Sequence, residues 1–181
     1  MLFRSMLLFG ESRRRRRAAL ALIATLVQLA TAITLLIMTT DSVASIWPQG
    51  IGVYAIGSWA APFGIVLVVD RLSALMVTLV ALLALPALVY SLARWDRVGV
   101  HYHSLFQFLL MGLNGAFLTG DLFNLFVFFE VLLAASYGLL LHGSGTARVK
   151  SGLHYVVVNL VGSLFFLIGA ALIYGVSGTR F

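Results

Sequence analysis

"AALALIATLVQLATAITLLIMT", residues 18–39, runs for 22 residues without a charge. As a helix rising 1.5 Å per residue it covers about 33 Å, enough to cross the ~30 Å hydrocarbon core of a bilayer. Arg13 to Arg17 stand directly before it. A basic block beside a long apolar run is the ordinary device that holds one end of a span inside the cell. A secretory signal has an apolar core of roughly 7–15 residues. The run here is longer, so the segment reads as a membrane anchor that stays in place.

Composition extends that reading to the whole chain. Of 181 residues, 61% are hydrophobic and 10% charged, with a mean hydropathy of +1.05. A soluble domain carries roughly a quarter charged residues, so this chain cannot keep its surface wet. Five segments read as transmembrane helices, about 18–39, 72–92, 104–120, 122–141 and 153–175, the third being the shortest. The expected fold is an all-α polytopic membrane helix bundle, with residues 1–17 as a cytoplasmic basic segment and 18–181 as one membrane domain. Pro86 falls inside the second helix, where its missing N–H kinks a span that neighbouring helices can tolerate. Residues 41–70 are too polar and broken to cross. Within them "IGVYAIGSWAAPFGIVLVVD", residues 51–70, places two β-prone runs around "GSWAAP". That pattern fits a hairpin at the outer surface, or an irregular loop resting Trp47 and Trp59 at the interface.

The net charge of +6 does not point to nucleic acid, because five of the twelve basic residues form the juxtamembrane block. With the amino terminus inside, Arg4, Arg13 to Arg17, Arg94, Arg97, Arg148 and Lys150 collect on the inner side, leaving Arg71 and Arg180 outside. The absence of cysteine excludes disulfides and thiolate-ligated metal from this sequence.

One residue stands out chemically. In "LFNLFVFFEVLLAAS", residues 122–136, Glu130 lies eight residues into the fourth helix, so about 12 Å along it and near the midplane. An acid there costs at least ~2.5 kcal/mol on insertion scales unless it faces protein or water, meets a cation, or holds a proton. Each escape couples it to something that changes, as a proton or cation relay requires. The competing reading is a protonated carboxyl making one structural hydrogen bond. No cationic partner is apparent at its depth. Asn114 in the third helix and His154, Asn159 and Ser163 in the fifth are weaker candidates for a polar relay. Asn159 and Ser163 are four apart and share a face, His154 titrates near neutrality, and all of them serve equally as interhelical ties. His101 and His103 in "GVHYHSLF" lack a third ligand, which favours a solvated inner loop over metal. Gly112, Ala116 and Gly120 form a small-residue stripe for close helix approach, and Asp121 is placed to cap the fourth helix.

Three longer strings carry a family resemblance: "FQFLLMGLNGAFLTGDLFNLFVFFEVLLAASYGLLLHG" (106–143), "GSWAAPFGIVLVVDRLSALM" (57–76) and "GLHYVVVNLVGSLFFLIGAALIYGVSGT" (152–179). Together they resemble the D subunit of the Mrp-type multisubunit Na⁺ (monovalent cation)/H⁺ antiporters, related to the antiporter-like pumping subunits of respiratory complex I. The resemblance implies two inverted five-helix repeats in a bundle of about fourteen helices, with a hydrophilic axis of lysines and one glutamate. Glu130 matches the glutamate of the fifth helix, which pairs with a lysine on the seventh. It further implies exchange of cytoplasmic Na⁺ for external H⁺ by a hetero-oligomeric complex in the bacterial cytoplasmic (inner) membrane. Other membrane subunits and the lipid bilayer are the implied partners, with no redox cofactor in this subunit. "MLFRSMLLFGE" is too short for the family's first helix and "GTRF" stops where the family continues, so the chain is expected to hold helices two to six. A proton-pumping subunit of a complex I-type oxidoreductase or membrane hydrogenase, and a truncated non-transporting membrane protein, are the alternatives.

Overall fold

The computed structural model describes residues 14–40, 47, 50–59, 64–97, 101–143 and 145–177. Arg4, Arg13, the second half of the "GSWAAP" turn and the terminal "GTRF" lie outside them. The chain forms α1 (Arg14–Thr40), β1 (Gly52–Ile56), β2 (Ile65–Val69), α2 (Arg71–Ala93), a 3₁₀ turn (Trp95–Arg97), α3 (Tyr102–Leu118), α4 (Leu122–Leu140) and α5 (Thr146–Ser177). Helices α1, α2, α4 and α5 are long and apolar enough to cross a membrane. Helix α3, at 17 residues, reaches about 25 Å and is the short member of the bundle, as its sequence indicates.

Each element starts where the sequence supplies a partner for otherwise unpaired backbone groups. Asp70 and Ser73 make a capping box at α2: Ser73 N–H donates to Asp70 Oδ1 at 2.7 Å, and Asp70 N–H donates to Ser73 Oγ at 2.8 Å. The donated Ser73 N–H holds the Asp70 carboxyl below its usual range. Asp121 caps α4 by accepting from Phe123 N–H at 2.8 Å. Helix α2 continues through Pro86 without interruption. The β-branched runs "GVYAI" and "IVLVV" pair antiparallel, Gly52 with Val69 through Ile56 with Ile65, so the outer segment is a hairpin and not an irregular loop. Gly57, at φ +70°, opens its turn. Gly120 N–H donates to Val66 O at 2.9 Å, which ties the end of α3 to the hairpin.

Packing follows helix faces. Ala21 of α1, Ala84 and Leu88 of α2, and Phe106 and Leu110 of α3 form one buried cluster. Ala32 of α1 with Val77 and Ala81 of α2 forms a second, against which Phe117 and Leu118 of α3 rest. The small-residue contact differs from the expected four-residue stripe. The glycines that meet α4 are Gly112, against Leu132, and Gly115, against Phe128. They are three apart because the opposite face of α3 is committed to α1 and α2. Gly120 instead packs on Val68 of the hairpin.

At the end opposite the hairpin, α1 is fastened to the α2–α3 turn. Arg14 donates to both Asp96 oxygens, at 2.6 and 2.8 Å, and to Leu92 O at 3.1 Å. His103, in the first turn of α3, is buried, with Nε2 3.7 Å from Asp96 Oδ2. It is therefore not part of a solvated loop, the setting its sequence neighbours indicated. Among the described residues no group of histidines and acids is arranged to hold a metal. The ring of Tyr102 lies 5.3 Å from that of His142, whose Nε2 contacts Trp95 O at 3.1 Å, and Arg148 sits over the Trp95 ring at 5.4 Å.

Two measurements test this packing. A β-carbon at Gly112 would lie 2.7 Å from Leu132 N, where only backbone movement makes room. Gly112→Ala is expected to cost about 1–3 kcal/mol, read as a lower melting temperature of the purified protein; an unchanged melting temperature contradicts the close α3–α4 approach. Burial is the main cause that pushes His103 below its ordinary value of 6.5, while Asp96 opposes it and Arg17 and Arg14 reinforce it. The unfolded chain then binds this proton more readily than the folded one. Stability is present above pH 6.5 and is lost as the pH falls from 6.5 toward the lowered value. Thermal melts between pH 7 and pH 5 are expected to show that slope, and His103→Gln to flatten it.

Candidate functional site

Helix α4 carries the deepest acid in the bundle. Asp121 fixes its start, and eight residues into the helix Glu130 stands about 12 Å along the axis. Four large apolar residues, Phe126, Val127, Phe128 and Phe129, precede it directly. Phe128 turns toward Gly115 of α3, leaving Glu130 on the side that also carries Phe126, Leu133 and Tyr137 by three-, four- and seven-residue spacing. That side leads toward α5, because the Tyr137 and Tyr155 rings meet edge to face at 5.6 Å. Phe166 of α5 stacks on Phe126 at 6.3 Å and meets Phe129 at 6.1 Å.

The Oε1 atom of Glu130 is buried and accepts no hydrogen bond among the described residues. No cation lies within ion-pair distance of it among those residues. A buried carboxylate oxygen without a donor is costly in a low-dielectric interior. The arrangement therefore presents a carboxyl whose charged form needs a cation or donor brought by another element. Beside it, between α4 and α5, runs a groove of ≈ 280 Å³ whose walls include Phe126, Phe129, Asn159, Gly162, Ser163 and Phe166.

The other candidates divide. Asn159 and Ser163 share the groove, although Asn159 Nδ2 already donates to Tyr155 O at 2.7 Å on its own helix. His154 is exposed, with Nδ1 2.9 Å from Lys150 O one turn earlier. Asn114 is on the far side of α3 from α4, with its Oδ1 buried and unpaired among the described residues. The structure thus brings Asn159 and Ser163 beside the Glu130 helix and leaves Asn114 and His154 apart from it. Sequence reasoning missed the Arg14–Asp96–His103 cluster. Its signal was present: Asp96 is the single acid in the loop between α2 and α3, and it faces the arginine block across 82 residues.

Comparison with known proteins sets this arrangement in a family. Residues 119–181 match the membrane family described as NADH:quinone oxidoreductase/Mrp antiporter, TM. The D subunit of a probable K(+)/H(+) antiporter from Rhizobium meliloti is 59% identical over 94% of this chain and 31% of its own length. The D subunit of an Na(+)/H(+) antiporter from Alkalihalophilus pseudofirmus is 44% identical over 74% of this chain and 28% of its own. In the solved Mrp complex from Dietzia sp., one chain superposes with a TM-score of 0.83 at 37% identity, covering 93% of this chain and 31% of that one. A chain of the membrane-bound sulfane sulfur reductase, an archaeal respiratory membrane complex, superposes with a TM-score of 0.76 at 26% identity, covering 99% of this chain and 35% of that one. The chain spans about a third of the length of the curated relatives it matches. In sequence along 94% of its length and in fold along 93%, it is related to the D subunit of the Mrp-type multisubunit cation/proton antiporters.

Proposed function

We propose that this chain forms part of the membrane subunit of a multisubunit antiporter that exchanges a cytoplasmic monovalent cation for external protons. Glu130 is the residue on which ion translocation turns. The observation that carries the reading is its carboxyl, near the membrane midplane and with one oxygen unpaired among the described residues. Such a group responds to any change in the charge of a neighbour, because little around it screens the interaction. Ion exchange needs that coupling: a cation or a lysine approaching the carboxyl alters which charge the site holds, and a proton moves in compensation.

The cation is K⁺ or Na⁺. The relative named for K(+)/H(+) exchange is 59% identical, whereas the one named for Na(+)/H(+) exchange is 44% identical, which favours K⁺. The excess of arginine and lysine at the Arg14–Asp96 end supports a cytoplasmic location for that end and for the amino terminus, in a bacterial inner membrane. Partners are the other membrane subunits of the assembly, and the chain acts as a transporter component without a redox cofactor of its own. The resemblance to an archaeal respiratory complex supports a second reading, in which the same helices pump protons driven by electron transfer elsewhere.

Exchange across everted membrane vesicles containing the full-length protein and its partners tests the proposal. Glu130→Gln is expected to slow K⁺- or Na⁺-dependent dissipation of a pH gradient by at least about tenfold, or ~1.4 kcal/mol, with the complex still assembled. Unaltered exchange leaves Glu130 a packing residue only. Proton movement that follows electron transfer and ignores the added cation favours the respiratory reading.

A further inference from the structure

A second polar track crosses the bundle, on the side of α3 away from Glu130. Helices α1 and α3 run parallel and are anchored at two levels. Gln107 Nε2 donates to Ala21 O and to Thr25 Oγ1, both at 3.2 Å, and the first contact joins residues 86 apart. Higher up, Phe117 and Leu118 rest against the cluster containing Ala32, at almost the same separation. An offset of 86 therefore holds along the interface, and it sets Gln28 level with Asn114, and Arg17 level with His103. Arg14, Arg17, Ala21, Thr25, Gln28 and Ala32 follow one face of α1, and His103, Gln107, Asn114 and Leu118 follow one face of α3.

The polar atoms on this seam are incompletely paired. Gln28 Nε2 and Asn114 Oδ1, a donor and an acceptor at one level, are both buried and have no hydrogen-bond partner among the described residues. Both nitrogens of His103 are likewise buried and unpaired among those residues. The Gln28–Asn114 layer lies eleven residues above Arg17, so about 16 Å in from the rim. Two polar groups that face one another without touching are the setting in which a water bridges them.

We propose that the α1–α3 interface is a hydrated inlet: water enters at the His103–Asp96 rim and fills the seam up to Gln28 and Asn114, where it joins the two amides. Above Asp96 the described walls offer amides and a hydroxyl but no carboxylate, so the seam suits water and not a bound alkali cation. Arg14 and Arg17 at the rim add positive charge that keeps free cations out, with Asp96 partly offsetting it. His103 is the proton-exchanging group at the mouth, able to hand a proton to water on one side and to Asp96 on the other. The inlet's role in proton supply rests on the antiporter reading, whereas its hydration does not.

Thiol labelling tests the hydration directly. Single cysteines are placed in the full-length protein within its native membrane; residues 1–181 contain no cysteine to add background. A small, charged, membrane-impermeant thiol reagent is added from the side that labels Arg15→Cys, an exposed position beside the rim. Gln28→Cys and Asn114→Cys are expected to react at least about tenfold faster than Ala32→Cys and Leu110→Cys, because only the thiolate reacts and an apolar setting suppresses it. Thr25→Cys, midway along the seam, carries the same expectation if either amide variant fails to assemble. Equal, slow rates at all positions overturn the proposal and make Gln28 and Asn114 a dry clamp. Reaction only from the side of Thr40 overturns it too. Ion exchange measured on the same membranes reports separately on the antiporter reading.

Discussion

Hydrocarbon offers no hydrogen bonds, and every polar atom in this bundle must find its partner within the protein. Most do so locally. Thr25, Thr31, Thr34, Thr40 and Thr78 turn their hydroxyls back onto the carbonyl four residues earlier. Asp70 and Asp121 close helix amino termini, and Arg71 reaches back to Thr40 O at 3.3 Å to close a carboxyl terminus. Against that background the unpaired atoms carry information. Among the described residues, Gln28, Asn114, His103 and Glu130 each keep a buried polar atom without a hydrogen bond. They fall on two tracks, one on either side of α3.

Helix α3 separates those tracks because its two faces are built differently. Toward α1 and α2 it presents Phe106, Leu110, Phe117 and the polar series from His103 to Asn114. Toward α4 it presents Gly112 and Gly115, which let Leu132 and Phe128 come close. Close approach on that side holds the α4 backbone in place and directs Glu130 toward α5. The Arg14–Asp96 clasp fixes the height of α1 against the α2–α3 turn, and that height aligns Gln28 with Asn114.

Much of this was legible in the residues. Long uncharged runs decide the helices, since a bilayer of fixed thickness demands about twenty apolar residues. Val- and Ile-rich runs on either side of "GSWAAP" decide the hairpin, and Asp121 before an apolar run marks a helix start. Depth along α4 singles out Glu130 by counting alone. What could not be read depends on tertiary register. Asp96 and Arg14 are 82 residues apart, and no local pattern pairs them. His103 follows a polar stretch and reads as loop, yet one turn of helix carries it into the protein. The glycine contacts use a spacing of three and not four, because the neighbouring face of α3 was already taken by α1 and α2.

The account rests on the Glu130 carboxyl exchanging a proton when a cation reaches the antiporter. Infrared difference spectroscopy on membranes holding the complete assembly reads that event directly. Addition of K⁺ or Na⁺ at constant pH is predicted to change a carboxylic-acid band, and the change is predicted to vanish in the Glu130→Gln protein. A band that is unmoved by cation, or a response that persists unchanged in the variant, contradicts the account.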